Sequence, residues 1–374
     1  MNAITISGMQ PIRPETARYL PPLTGIRALA ALLVLGMHAD QNISAGVSSV
    51  LPFLKRGYLG VDFFFVLSGF IITHVYFSSL ARPNRSAVQV FLWHRLIRLY
   101  PVHITVLALL FGLVQFARSA GIPLNHPQEW RGADIVWQLT LLQAWGTTEQ
   151  PGWNAPSWSI SVEWFAYLLF PFLAPALTYV RDRATALSIA VLALATTAVL
   201  FTTFDWSLNT WVGGPALTRV SGEFLCGAAL RRALEVGPKA PRCIGDFLGI
   251  GAFATFLLGA SVGLLDFALI ALLALTVFGA ATSEGPLARV LGSTPLLWLG
   301  EVSYSVYMVH FPVLLIFRRI CERMDLIGEG VFAQTFAFIV AIALVILAAA
   351  LLFYLVERPA RRRLRDQLGL LAPA

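Results

Sequence analysis

Long apolar runs, broken by short polar segments, fill most of the chain. A helix that crosses a membrane needs about 20 mostly apolar residues. On that measure ten helices are expected, near 24–42, 57–80, 97–118, 159–180, 184–204, 215–233, 246–264, 265–281, 295–317 and 332–356. Only Asp266 interrupts the seventh and eighth runs. A further segment, ADIVWQLTLLQAW at 133–145, is apolar but too short to cross, and reads as an interfacial or re-entrant helix. The expected fold class is all-α, a polytopic transmembrane bundle of about ten spans. Residues 1–22 form an N-terminal segment, 23–357 the membrane domain and 358–374 a basic tail.

Composition sharpens this picture. Hydrophobic residues make up 57% of the 374 positions and charged residues 13%, against about 25% charged in a soluble domain. The apolar surplus must therefore face lipid. The chain holds 27 Lys+Arg and 20 Asp+Glu, but its basic residues cluster between spans. That pattern reflects membrane topology and anionic lipid rather than nucleic acid, for which no basic motif with interleaved aromatics appears. With the N-terminus inside, the inner segments carry eighteen basic residues and the outer seven, so both termini are expected in the cytoplasm. Arg318, Arg319 and Arg323 run against the trend. Cys226, Cys243 and Cys321 are scattered, which gives neither a disulfide framework nor a metal signature. Residues 1–22 lack the apolar core of a signal peptide, so insertion is expected to use the first span.

Charges in the hydrocarbon region are costly and mark functional candidates. Arg27 and His38 lie eleven residues apart in LTGIRALAALLVLGMHAD. That spacing returns to within about 20° of one helix face, with a rise of about 16 Å. On these residues alone, a snorkelling arginine with a packed histidine stands beside a binding cation with a titratable base. Asp62, in GYLGVDFFFVLSGFIIT, is expected at the depth of His38, where a carboxylate would fix the imidazole tautomer. A structural helix cap is the other reading. Arg95 and Arg98, three apart in FLWHRLIRLYP, share a face and would suit a phosphate, or simply flank a span. PSWSISVEWFAYLLFP sets Trp158, Ser159, Ser161 and Glu163 at the outer start of the fourth span. Arg219 and Glu223 are spaced for an i,i+4 ion pair. GEVSYSVYMVHFP places Glu301, Ser303, Tyr304, Tyr307 and His310 in a polar stripe expected to face the bundle interior.

Taken in order, LTGIRALAALLVLGMH, GVDFFFVLSGFII, FLWHRLIRLYP, PSWSISVEWFAYLLFP, GEVSYSVYMVHFPV and VERPARR resemble the landmarks of the acyltransferase 3 family over residues 23–363. The resemblance implies transfer of an acyl group, usually acetyl from acetyl-CoA, to a hydroxyl of an extracytoplasmic glycan. It maps family positions onto Arg27, His38, Asp62, Arg95, Arg98 and Glu163. The chain departs from the family where His94 replaces a frequent arginine, and where Trp164 and Phe165 follow Glu163. Some members carry an appended hydrolase-like domain; here the membrane domain is expected to suffice or to hand the acyl group to another protein.

These observations lead to an expected O-acyltransferase of the bacterial inner membrane. Arg27, Arg95 and Arg98 would hold the donor phosphates, with no metal. His38 would act as general base or acyl carrier, served by Asp62 or Glu163. Tyr304 or Ser161 would steady the oxyanion; His310 and Trp158 are further candidates. Expected partners are a surface or exported polysaccharide or its lipid-linked precursor, membrane lipid, and polysaccharide synthase or export components. A proton-coupled transporter and a non-catalytic synthase subunit are the rival classes.

Overall fold

The computed structural model describes residues 19–43, 46–124, 127–238, 242–324 and 330–369. Most of the expected segment 1–22 and the end of the basic tail lie outside the described residues. Helices dominate throughout, with no strand among the described residues. They are α1 (Pro21–Ile43), α2 (Val47–Val50), α3 (Leu59–Leu80), α4 (Arg85–Ser119), α5 (Ile135–Thr140), α6 (Trp158–Leu177), α7 (Arg183–Thr203), α8 (Gly213–Val236), α9 (Arg242–Val262), α10 (Asp266–Thr282), α11 (Pro286–Leu291), α12 (Thr294–Met324), α13 (Val331–Leu352) and α14 (Arg358–Gln367).

Eight of these are long and apolar enough to cross a membrane: α1, α3, α4, α6, α7, α9, α12 and α13. The chain is thus an all-helical multi-pass membrane protein, with eight spans by this measure among the described residues rather than ten. The two expected spans that fall short do so for different reasons. α10 is apolar but only 17 residues long. α8 has 24 residues but carries Arg219 and Glu223 in its interior and Arg231, Arg232 and Glu235 toward its end. Both interior charges of α8 are buried against protein, which is how a polar helix avoids the cost of charge in hydrocarbon.

The helices group into two compact units. The first comprises Ser68–Gly237 and the residues from Tyr354 onward; the second comprises Leu20–Leu67 and Pro238–Phe353. In the second unit α1 is the central helix, packed on α12 and also on α11 and α13. Glycines allow this closeness. A Cβ at Gly25 would strike the Leu291 backbone, and one at Gly300 the Thr24 backbone. In membranes, where no hydrophobic drive brings helices together, such close approach supplies the packing energy.

In the first unit α4 runs for 35 residues, twelve earlier than the apolar run alone suggests. Its start is set by Asn84, whose side chain accepts from the Ala87 N–H at 2.8 Å. Arg95 and Arg98 therefore lie well inside a helix. The connection after α4 contains the expected 133–145 element only as the short α5, ended by Leu141 in the left-handed region (φ 58°). Near the end of α4 Arg118 donates to the Trp130 carbonyl (3.1 Å). The chain then turns back along α4: Tyr100 donates to the Leu139 carbonyl (2.8 Å) and His103 to that of Gln138 (2.8 Å). Tyr100 lies about 28 Å along the helix from Ser119, so the connection is re-entrant. Between α13 and α14, Phe353–Glu357 form a π turn, a local widening that re-aims the residues beyond it.

Candidate active site

Two polar clusters stand out, one in each unit. In the second unit α1 supplies Arg27 and His38. The Arg27 guanidinium donates to Ser303 Oγ on α12 (3.1 Å), and that hydroxyl donates to the Gly300 carbonyl (2.8 Å). Along the same face the His38 ring stacks on His310 of α12, with centroids 4.9 Å apart and planes 29° from parallel. His310 is 1% exposed. Its Nδ1 lies 2.6 Å from the Tyr307 carbonyl. A carbonyl only accepts, so Nδ1 carries the proton and Nε2 the lone pair. Nε2 is buried and has no hydrogen-bond partner among the described residues. Tyr307 completes the group, 5.7 Å from His310 and edge-on to Phe64 at 6.2 Å.

The α12 stripe is thus largely as the sequence suggests. Ser303, Tyr304, Tyr307 and His310 are buried, whereas Glu301 is exposed and leaves the interior set. Asp62 is fully buried in the first turn of α3. The ring set against His38 is His310, however, a partner that depth matching along the sequence does not suggest. Asp40, two residues beyond His38, is structural: it accepts the N–H groups of Val47 and Ser48 (3.1 and 3.2 Å) and holds the start of α2.

The first unit gathers Ser68, Tyr76, Arg95, Glu163 and Tyr167. Arg95 donates to the Tyr76 hydroxyl at 2.9 Å and sits over the Tyr76 and Tyr167 rings at 5.1 and 5.8 Å. Glu163 accepts from Ser68 (2.7 Å) and Tyr167 (2.5 Å). The Glu163 carboxylate and the Arg95 guanidinium attract one another across this cluster. Sequence depth assigns Arg95 to the inner side and Glu163 to the outer; folding brings them into one network. Arg98 is used differently, in an ion pair of 2.6 Å with the fully buried Glu357, which also meets Arg361 at 3.4 Å.

Two candidates have evident structural uses. Ser161 donates to the Leu141 carbonyl (2.8 Å) and accepts from the Ala144 N–H (3.1 Å), clamping the re-entrant turn. Trp158 is buried, and its ring lies 5.2 Å from the Arg219 guanidinium. Arg219 approaches Glu223 at 3.9 Å, as the spacing suggests, and donates to the Leu208 carbonyl at 3.0 Å. Sequence reasoning missed Tyr76, Tyr167 and Glu357. Glu357 had a signal, since it closes a long apolar run within VERPARR. No cluster of three or more His, Cys, Asp or Glu fit to hold a metal occurs among the described residues.

Fold and clusters together define a multi-pass helical membrane protein with ionisable side chains held within its helix packing. The chain belongs to the acyltransferase 3 family: the acyltransferase domain matches residues 22–355. It is an acyltransferase enzyme. Among its relatives, the acyltransferase MdmB of Streptomyces mycarofaciens is 30% identical over 377 residues, covering 94% of each chain. The peptidoglycan O-acetyltransferase OatA of Listeria monocytogenes is 23% identical over 383 residues, and the O-acetyltransferase OatA of Staphylococcus aureus 25% over 385. Each alignment covers 92% of this chain but only 56% and 58% of the respective relative. No solved structure matches.

Proposed function

We propose that the protein is an O-acyltransferase of the bacterial inner membrane, with both termini cytoplasmic. It moves an acyl group, acetyl in the first instance, from cytosolic acyl-CoA to a hydroxyl of a surface or exported polysaccharide or its lipid-linked precursor. The observation that carries this reading is the stacking of His38, on the helix that also presents Arg27, against His310 of α12, inside an acyltransferase domain. The name of the Listeria relative, a peptidoglycan O-acetyltransferase, supports the glycan acceptor, and the names of both OatA relatives support the acetyl group.

In the mechanism, His38 takes the proton from the acceptor hydroxyl as its oxygen attacks the thioester carbonyl. The tetrahedral intermediate collapses with cleavage of the C–S bond, and the imidazolium returns the proton to the departing thiolate. His310, held by its bond to Tyr307, stacks against His38 and keeps its ring plane fixed. Asp62, buried in the first turn of α3, is the carboxylate assigned to His38. Tyr304 remains the oxyanion donor in this scheme, since the Ser161 hydroxyl clamps a turn. Arg27 is the cation assigned to the donor phosphates; Arg95, like Arg98, is taken up by its own network. Arg98 contributes only where phosphate displaces Glu357.

General-base assistance is worth about 10²–10⁴-fold. His38→Ala should therefore lose transfer by that factor while the protein still inserts. The measurement is base-labile acetyl formed on glycan by purified protein in vesicles with acetyl-CoA. Undiminished transfer by His38→Ala would refute the mechanism. Uptake of unmodified glycan, without ester formation, would favour a transporter. Rapid quench with labelled donor distinguishes direct transfer from an acyl-His38 intermediate.

A further inference from the structure

Acyl transfer leaves one feature of the first unit unused. A cavity of about 850 Å³ opens along α4. It is walled by Trp93, Ile97 and Ile104 on α4, by Leu139 at the re-entrant tip, by Trp164 on α6 and by Leu364 on α14. Trp93 and Leu139 are 39% and 42% exposed, so the apolar wall is open rather than sealed core. Arg363 is the charged residue in the lining. It sits at the α14 side, on a helix that also bears Arg358, Arg361, Arg362 and Arg365. The feature is thus a long apolar trough with a cationic end.

We propose that this groove binds one molecule of an anionic phospholipid, with a hydrocarbon chain along α4 and its phosphate at Arg363. The argument is charge complementarity joined to apolar shape. An occupant must bury a long hydrocarbon against tryptophan, isoleucine and leucine, and must carry negative charge at one end only. A free anion would leave the trough unfilled. A polar glycan would meet mostly hydrocarbon, since the Tyr100, Thr105 and Thr140 hydroxyls in the lining already donate to carbonyls and Gln367 alone adds a free amide among the described residues. Membrane supplies the required amphiphile. The basic α14 is suited to the leaflet surface where anionic headgroups gather.

The test uses the full-length protein, purified in mild detergent and equilibrated with micelles containing phosphatidylglycerol or phosphatidylcholine. Native mass spectrometry then counts retained lipid. One phosphatidylglycerol should stay bound in preference to phosphatidylcholine. Arg363→Gln, an exposed change, should reduce that preference about fivefold, the value of one basic side chain near anionic lipid. Ile104→Trp should fill the trough and lower retention of both lipids. Equal retention of the two by the unaltered protein would overturn the proposal, as would a preference that survives both substitutions. A polyprenyl phosphate that displaces phosphatidylglycerol at equal concentration would also overturn it, by making the groove a site for a lipid-linked substrate.

Discussion

Removing Glu357 tests whether the π turn and α14 are held by buried charge. Its side chain is fully buried, that of Arg98 is 16% exposed at 2.6 Å, and that of Arg361 is 37% exposed at 3.4 Å. Breaking a buried pair by deleting one partner costs about 3–5 kcal/mol, because the other charge stays in low dielectric with its counter-charge gone. Glu357→Leu falls in this class, since it leaves two guanidinium groups facing an apolar side chain. Arg98→Met should cost less, about 1–3 kcal/mol, because Glu357 retains Arg361. The double variant Arg98→Met/Glu357→Leu removes both buried charges and replaces them with apolar volume. It should lie within about 2 kcal/mol of the parent. The decisive feature is the sign: adding Arg98→Met to Glu357→Leu should restore stability. Equilibrium unfolding in SDS, followed by circular dichroism, measures each variant. A loss below 1 kcal/mol for Glu357→Leu, or a double variant less stable than Glu357→Leu alone, would refute the reasoning.

Further outcomes follow from other contacts. His310→Phe keeps an aromatic ring beside His38 but loses the bond to Tyr307; transfer should fall about tenfold or more in kcat with donor KM unchanged, whereas loss of donor binding alone would contradict the positioning role. Gly69→Val should destabilise the first unit by several kcal/mol, since a Cβ there would strike the Phe224 backbone, whereas Gly112→Ala, which meets open space, should be neutral; equal effects in the unfolding assay would contradict this. Burial, with the Asp266 carboxylate at 2.9 Å, raises the Tyr58 hydroxyl from its usual value to about 12. Its folded-state pKa exceeds the unfolded value of about 10, so the stability it contributes is present below pH 10 and is lost as pH rises toward 12. Tyr58→Phe should flatten that alkaline loss, which pH-dependent unfolding checks.

What the sequence reveals depends on whether a signal is local. Eleven-residue spacing puts Arg27 and His38 on one face of α1, because helical periodicity needs no tertiary knowledge. The Arg219–Glu223 approach is equally local. The early start of α4 was within reach of Asn84, a good cap, but an apolar window discards the mixed stretch RSAVQVFLWHR. The α8 count failed for the opposite reason. A window cannot tell that Arg219 is covered by Trp158 and the Leu208 carbonyl rather than lipid. The Arg95–Glu163 network was illegible because depth along separate helices is only roughly inferred. It depends on Tyr76 and Tyr167, aromatic positions that read as ordinary span residues.

The clusters differ in a way that bears on which can do chemistry. Arg98 is matched by Glu357, Arg219 by Glu223 and a carbonyl, and Arg95 by a hydroxyl, two rings and Glu163. In each, local polar groups compensate a buried charge, and a compensated charge resists exchange for a transient ligand. The imidazole pair is of another kind. Its inner ring is fixed through Nδ1 and keeps a buried lone pair at Nε2 with no partner among the described residues. Such an acceptor is costly unless it is met during function. A bound hydroxyl or a proton in transit meets that need at His310. His103 Nδ1 and Arg95 Nε are likewise buried without a hydrogen-bond partner among the described residues, but neither ring nor guanidinium lies stacked against a second imidazole as His310 does. The physical case for His38 thus rests as much on His310 beside it as on the Arg27 spacing along α1.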